Sequence, residues 1–229
     1  MSAHIVAIGG GGLAGIGDRY PMFEHVLSLT GKDDPRVLFV NTASGDDARA
    51  TTYCYDLARE VGVVASHLDL FPMPNVRDVR SHVLAHDAVY VGGGSTANLL
   101  AVWRAHGLDT ILREANDNGV VLAGTSAGSI CWFEGGVTDS FGIDLRALTN
   151  GLAFLATTNA PHYDSEERRR PLYQRLVREG TLAPGYAADD GVGLVFENGT
   201  FAEAVTYRDS AGAYRVEADG ETRIAPRRL

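Results

Sequence analysis

The 229-residue chain is 45% hydrophobic and 21% charged, enough apolar content to bury one sizeable core, so a single domain over residues 1–229 is expected. Twenty basic against 29 acidic side chains leave a formal charge of −9 with no Lys/Arg stripe to track a phosphate backbone, which argues against nucleic acid as a partner. No run nears the roughly 18 apolar residues of a membrane span, and Met1–Ile5 lacks a basic segment followed by an apolar one, so a cytoplasmic protein is expected.

In chain order, Ile5–Ile8, Val37–Val40, Ala88–Val91 and Val120–Ala123 are short apolar runs bounded by polar or glycine-containing turns, with helical patterns between several of them. That pattern predicts an α/β fold with a largely parallel sheet and flanking helices. Helices are expected over Pro21–Leu29, from Asp46 to about Glu60, and over Thr96–His106. A further strand is expected at Leu152–Ala156 and a helix at Glu166–Glu179. Beyond Gly191, Val192–Phe196, Thr200–Thr206, Ala213–Val216 and Thr222–Ile224 read as strands, with Asn198-Gly199 and Asp219-Gly220 at turns. The chain is therefore divided into an α/β core, 1–191, and a region of antiparallel β-hairpins, 192–229. The two cysteines, Cys54 and Cys131, show neither CxxC nor metal-ligand spacing and read as buried thiols.

The most informative stretch is Val120–Trp132, an apolar strand followed by Gly124-Thr125-Ser126-Ala127-Gly128 and a helix-compatible run. This is the nucleophile-elbow pattern, in which a sharp strand-to-helix turn pushes the central serine into a cleft and the residue after it aims its amide at the position of an oxyanion. A Gly/Ser turn without chemistry is the alternative; the strand and helix on either side favour the elbow. Gly92-Gly93-Gly94, after the strand ending at Val91, offers bare backbone for a second oxyanion amide. Gly10–Gly15 fits G-x-G-x-x-G, but the following strand ends in Asn41-Thr42, without the acid that would hold a ribose. It reads instead as a flexible turn at the edge of the cleft.

A serine hydroxyl needs a base. Of seven histidines, His4 and His67 fall on strands, and His25, His82, His86 and His106 on or at the ends of amphipathic helices. His162, in Asn159-Ala160-Pro161-His162-Tyr163-Asp164, lies on a loop after a core strand, where catalytic groups are commonly carried. For the carboxylate that orients the imidazole, Asp139, Asp164 and Asp190 all remain open.

Taken together, G-G-G-S-T, G-T-S-A-G-S-I-C-W-F, P-H-Y-D-S and A-D-D-G, in this order between Ile5 and about Phe196, resemble the peptidase E family of serine peptidases, which also includes cyanophycinase-like enzymes. The resemblance implies a fold like that of class I glutamine amidotransferases. It also implies hydrolysis of dipeptides or small peptides after an amino-terminal aspartate, without metal or cofactor. It puts the nucleophile on Ser126, the base on His162, the oxyanion donors on Gly93 or Gly94 with Ala127, and the acid on Asp139 or Asp190. Of these two, Asp190 is slightly favoured by the sequence itself, because its loop follows a predicted helix back toward the sheet edge and Asp190-Gly191 permits a tight turn beside the site. The family's substrate-binding arginine follows a longer loop after the histidine; the available candidates here are Arg168, Arg169 and Arg170, six to eight residues after His162. The expected partner is a small peptide substrate, and a homodimer is a compatible assembly. An ammonia-transferring amidotransferase and a catalytically silent binding protein of the same fold are the competing functions; serine in place of cysteine speaks against the former.

Overall fold

A computed structural model describes residues 2–229. The strands β1 (His4–Ile8), β2 (Arg36–Val40), β3 (Val64–Leu68), β4 (Ala88–Val91) and β5 (Val121–Thr125) are all parallel neighbours, in the spatial order β3-β2-β4-β5-β1. Between and after them run α1 (Pro21–Ser28), α2 (Ala48–Val61), α3 (Val79–Leu84), α4 (Thr96–His106), α5 (Leu108–Asp117) and the single turn α6 (Ala127–Ile130). Both faces of this sheet are covered along its inner strands, which is why β1, β4 and β5 are apolar for most of their length, whereas the outer strand β3 carries Ser66 and His67 and is only partly buried. Val6, Ile8, Phe39 and Tyr90 pack toward α1 and α2, while Ile5, Ala7, Leu38 and Val91 pack with Leu99, Trp103 and Leu112 from α4 and α5.

Capping sets several helix boundaries. The Asp47 side chain accepts the amides of Arg49 and Ala50, and Gly62, with φ 80°, ends α2. The helix therefore starts two residues later than Asp46; the Asp46 carboxylate instead accepts the amides of Leu70 and Phe71. Ser95 caps α4, which coincides with the expected Thr96–His106.

After α6 the chain leaves the main sheet. Strands β6 (Phe133–Thr138), β7 (Arg146–Leu148) and β8 (Leu155–Ala160), helix α7 (Arg169–Arg178) and strand β9 (Gly185–Ala188) begin a second sheet. Then β10 (Val192–Glu197) and β11 (Thr200–Thr206) return to the main sheet as an antiparallel hairpin beside β1. Strands β12 (Ala213–Glu217) and β13 (Gly220–Ile224) pair antiparallel and join the second sheet through β9, and β14 (Arg227–Arg228) closes the main sheet's edge against β11. The expected hairpins are thus present, but they are built into two different sheets. The helix after Ser126 is also shorter than the sequence pattern suggested, because Trp132 and Phe133 turn inward, Trp132 packing 5.9 Å from Trp103. Helix α7 starts at Arg169, with Pro171 in its first turn. Among the described residues no helix is long and apolar enough to cross a membrane.

Candidate active site

The carboxyl ends of β1, β5 and β4 converge, and each carries a piece of the predicted site. Ser126 follows β5 with φ 57° and ψ −113°, a backbone geometry that side-chain-bearing residues adopt only under constraint. The constraint is visible on both sides: a Cβ on Gly124 would stand 2.2 Å from the Gly128 carbonyl oxygen, and one on Gly128 would stand 2.5 Å from that of Val91. The two glycines let the sheet and α6 touch, and the serine sits at the bend between them.

His162, also at positive φ (53°), follows β8. Its amide donates to the Gly9 carbonyl at 3.2 Å, while the Ser126 amide donates to the Ile8 carbonyl at 3.1 Å. Serine and histidine, which arrive from different sheets, are therefore anchored to consecutive carbonyls at the end of β1. His162 Nδ1 lies 2.7 Å from Asp190 Oδ1, and both side chains are partly buried. Asp190 stands in the turn between β9 and β10. Its own backbone is held at both ends: Asp164 Oδ1 accepts its amide at 2.8 Å, and Arg208 donates to its carbonyl at 2.6 Å while pairing with Asp164 Oδ2 at 2.9 Å.

The remaining candidate acids fall elsewhere. Asp139, just past β6, makes no hydrogen bond with His162; it lines a separate surface cavity with Ile143, Glu166 and Arg168. Asp164 grips the Asp190 main chain rather than the imidazole. Of the oxyanion candidates, Gly93 is next to the serine, a Cβ there lying 3.3 Å from Ser126 Cβ, whereas the same atom on Gly94 would run into the Ala43 carbonyl. The amides of Gly93, Gly94 and Ala127 donate to no other group among the described residues.

The three arginines are each engaged away from Ser126. Arg168 donates to Asp144 and to the Ile143 carbonyl; Arg169 is buried against Glu166 and the Val137 carbonyl; Arg170 pairs with Glu221 over the rings of Tyr163 and Tyr214. One helix cannot turn three successive side chains the same way, and here all three find partners on the second sheet and its loops.

The glycine-rich loop after β1 is no flexible turn. Gly9 donates to Val192, Gly191 donates to Gly10, and the hydroxyls of Tyr207 and Tyr53 donate to the carbonyls of Gly11 and Leu13. A Cβ on Gly10 would stand 2.7 Å from His162 Cε1, so this glycine belongs to the site itself. The run of four glycines was the available signal for so close a backbone approach; nothing local singled out Arg208. Burial pushes the Cys54 thiol up to about 11, which keeps it protonated at neutral pH and removes it as a rival nucleophile. Among the described residues no three His, Cys, Asp or Glu side chains are grouped as a metal site would require.

The order of these elements and motifs is that of a known family: the family model described as Peptidase family S51 matches residues 5–204. The chain belongs to peptidase family S51. It is 47% identical over 212 residues to the uncharacterized peptidase YgaJ of Bacillus subtilis (strain 168), an alignment covering 93% of this chain and 91% of that protein. Its fold is shared by the crystal structure of a peptidase from an acI-B1 Actinobacterium, with TM-score 0.70 and 14% identity over 98% of this chain and 94% of that one. A candidate peptidase E protein from Listeria monocytogenes EGD-e gives TM-score 0.63 and 17% identity, covering 92% and 100% of the two chains. This S51 member is a serine peptidase of the peptidase E-like kind.

Proposed function

We propose that the protein hydrolyses short peptides through an acyl-enzyme, with Ser126 as nucleophile, His162 as general base and Asp190 as the carboxylate that orients it. The observation that carries this reading is the 2.7 Å bond from His162 Nδ1 to Asp190, which leaves Nε2 free to act as a base. With Nδ1–H donated to Asp190, Nε2 takes the Ser126 proton as the serine oxygen attacks the scissile carbonyl. The imidazolium then gives that proton to the leaving amine, and water, activated by the same nitrogen, releases the acyl group. The free amides of Gly93 and Ala127 are suited to hold the negative oxygen, each worth about 3 kcal/mol of barrier. An aspartyl preference draws no support from Arg168, Arg169 and Arg170, whose charges are already paired.

A fluorophosphonate probe and a dipeptide panel test the reading. Wild type should label at Ser126 and cleave at least part of the panel; Ser126→Ala should do neither, and His162→Ala should lose both by several orders of magnitude. A wild-type protein that neither labels nor cleaves would identify a binding protein. Full activity in Ser126→Ala would move the nucleophile elsewhere.

A further inference from the structure

Beside Ser126, on the face of the sheet opposite α4 and α5, lies a cavity of about 310 Å³. Gly93 and Thr125 bring it to the flank of the serine; Leu13, Ala50, Tyr53 and Tyr90 form much of its wall. The Tyr53 hydroxyl, bonded to the Leu13 carbonyl at 2.7 Å, ties α2 to the glycine-rich loop and closes one side. None of its lining residues carries a charged side chain. The remaining polar side chains are neutral: Asn41, Ser44, Thr125, a Cys54 thiol that burial keeps protonated, and the Tyr90 hydroxyl.

Tyr90 is 1% exposed, and its hydroxyl has no hydrogen-bond partner among the described residues. A buried O–H without an acceptor is costly, and a wall of a small cavity is where a bound molecule could offer one. The chain's net charge is −9, and Arg208, the basic side chain bonded to the Asp190 main chain, is already engaged by Asp164 and the Asp190 carbonyl. A carboxylate entering this cavity would give up part of its water and meet no charged side chain in the lining, whereas an apolar side chain would gain from the contact.

Building on the Ser126 hydrolase reading, we propose that this cavity is the specificity pocket of the enzyme, and that it takes a neutral, predominantly apolar side chain of the substrate, of the size of leucine or phenylalanine, in preference to aspartate. A volume near 300 Å³ is at the small end of ligand sites, enough for one such side chain and its flanking backbone. The Tyr90 hydroxyl and Asn41 supply a polar point within an otherwise apolar wall, so an uncharged acceptor in the substrate is tolerated and a full charge is not.

The test compares Leu-Ala, Phe-Ala and Asp-Ala as substrates, and as protectors of Ser126 against a small fluorophosphonate, in wild type, Ala50→Trp and Ala50→Arg. Ala50 lines the cavity from a half-buried position on α2, away from Ser126, His162 and Asp190. Wild type should favour Leu-Ala or Phe-Ala over Asp-Ala in kcat/KM by about tenfold or more. Ala50→Trp, which fills the cavity, should lower kcat/KM for Leu-Ala and Phe-Ala by about tenfold while labelling of Ser126 persists. Ala50→Arg should shift the ratio toward Asp-Ala by a similar factor, through a charge-assisted contact. Wild type that labels normally but cleaves Asp-Ala as well as Leu-Ala overturns the pocket and leaves the hydrolase standing. So does a Leu/Asp ratio unmoved by both Ala50 variants, or Leu-Ala that is neither cleaved nor protective. Absence of labelling in wild type overturns the hydrolase reading itself, and the pocket assignment falls with it.

Discussion

Gly10 and Asp190 approach so closely that a single methyl group on Gly10 would stand 2.0 Å from Asp190 Oδ1. The glycine-rich loop after β1 is therefore the surface against which the His162–Asp190 pair is set. Gly10→Ala should displace that pair and lower kcat by two orders of magnitude or more. Combined with Asp190→Asn it should add little further loss, because residues acting as one unit are not additive. Steady-state kinetics of the two single variants and the double variant check this; additive losses would separate Gly10 from the pair.

Asp190→Asn by itself should cost roughly 10⁴ in kcat, the scale found when asparagine imposes the wrong imidazole tautomer in a serine-protease triad. Asp139→Asn should stay within about twofold of wild type, since that carboxylate lines another cavity. The two kcat values, measured on one dipeptide substrate, decide between the acids.

Asp164 and Arg208 hold the Asp190 main chain, and if Asp190 orients His162 as proposed they should act through it as positioning residues. Asp164→Ala removes the acceptor of the Asp190 amide and the partner of Arg208, and should reduce kcat about ten- to a hundredfold with little change in KM. Asp164→Asn keeps an oxygen toward the Asp190 amide and should recover most of that loss; Arg208→Lys should recover part of the loss of Arg208→Ala. Equal losses from the conservative and the truncating variants would indicate general destabilisation rather than alignment of the acid. The Arg208–Asp164 pair is partly exposed, so its own contribution to stability is small and salt-sensitive.

Ser126 holds a left-handed backbone conformation that glycine adopts without penalty. Ser126→Gly should therefore abolish hydrolysis and raise unfolding stability by about 1 kcal/mol, whereas Ser126→Ala should abolish hydrolysis without that gain. Urea denaturation of both inactive variants measures the difference.

His86 is buried and His25 half-buried, and desolvation holds both imidazoles below their usual range, with Arg227 adding to the effect at His25. In each case the unfolded chain binds the proton more readily than the folded one. Their contribution to stability is then complete above the unfolded pKa, near 6.5, and is lost as pH falls below it toward the folded value. Unfolding free energy should fall between pH 7.5 and pH 5.5 by more than the carboxylates alone would produce. Proton titration of the His25 and His86 ring signals should show midpoints below 6.5.

The local patterns of the chain carried the architecture of the main sheet and two thirds of the candidate site. Continuous apolar runs are what parallel strands covered on both faces require, so β1, β2, β4 and β5 are legible from hydrophobicity and turn residues alone. Ser126 and His162 are legible because an elbow needs small neighbours within two residues and because a loop at the end of a core strand is itself a local feature. Sequence position favoured Asp190 only slightly over the other acids; the tertiary structure puts it, and neither Asp139 nor Asp164, in hydrogen-bond contact with His162. It also turned the glycine-rich loop from a loose edge into the bed of the His162–Asp190 pair, tied Arg168, Arg169 and Arg170 to the second sheet, and brought Arg208 to the main chain of Asp190. Those outcomes depend on contacts between segments separated by tens to nearly two hundred residues. Their distances are set by how two sheets pack, and no stretch of neighbouring residues encodes that packing.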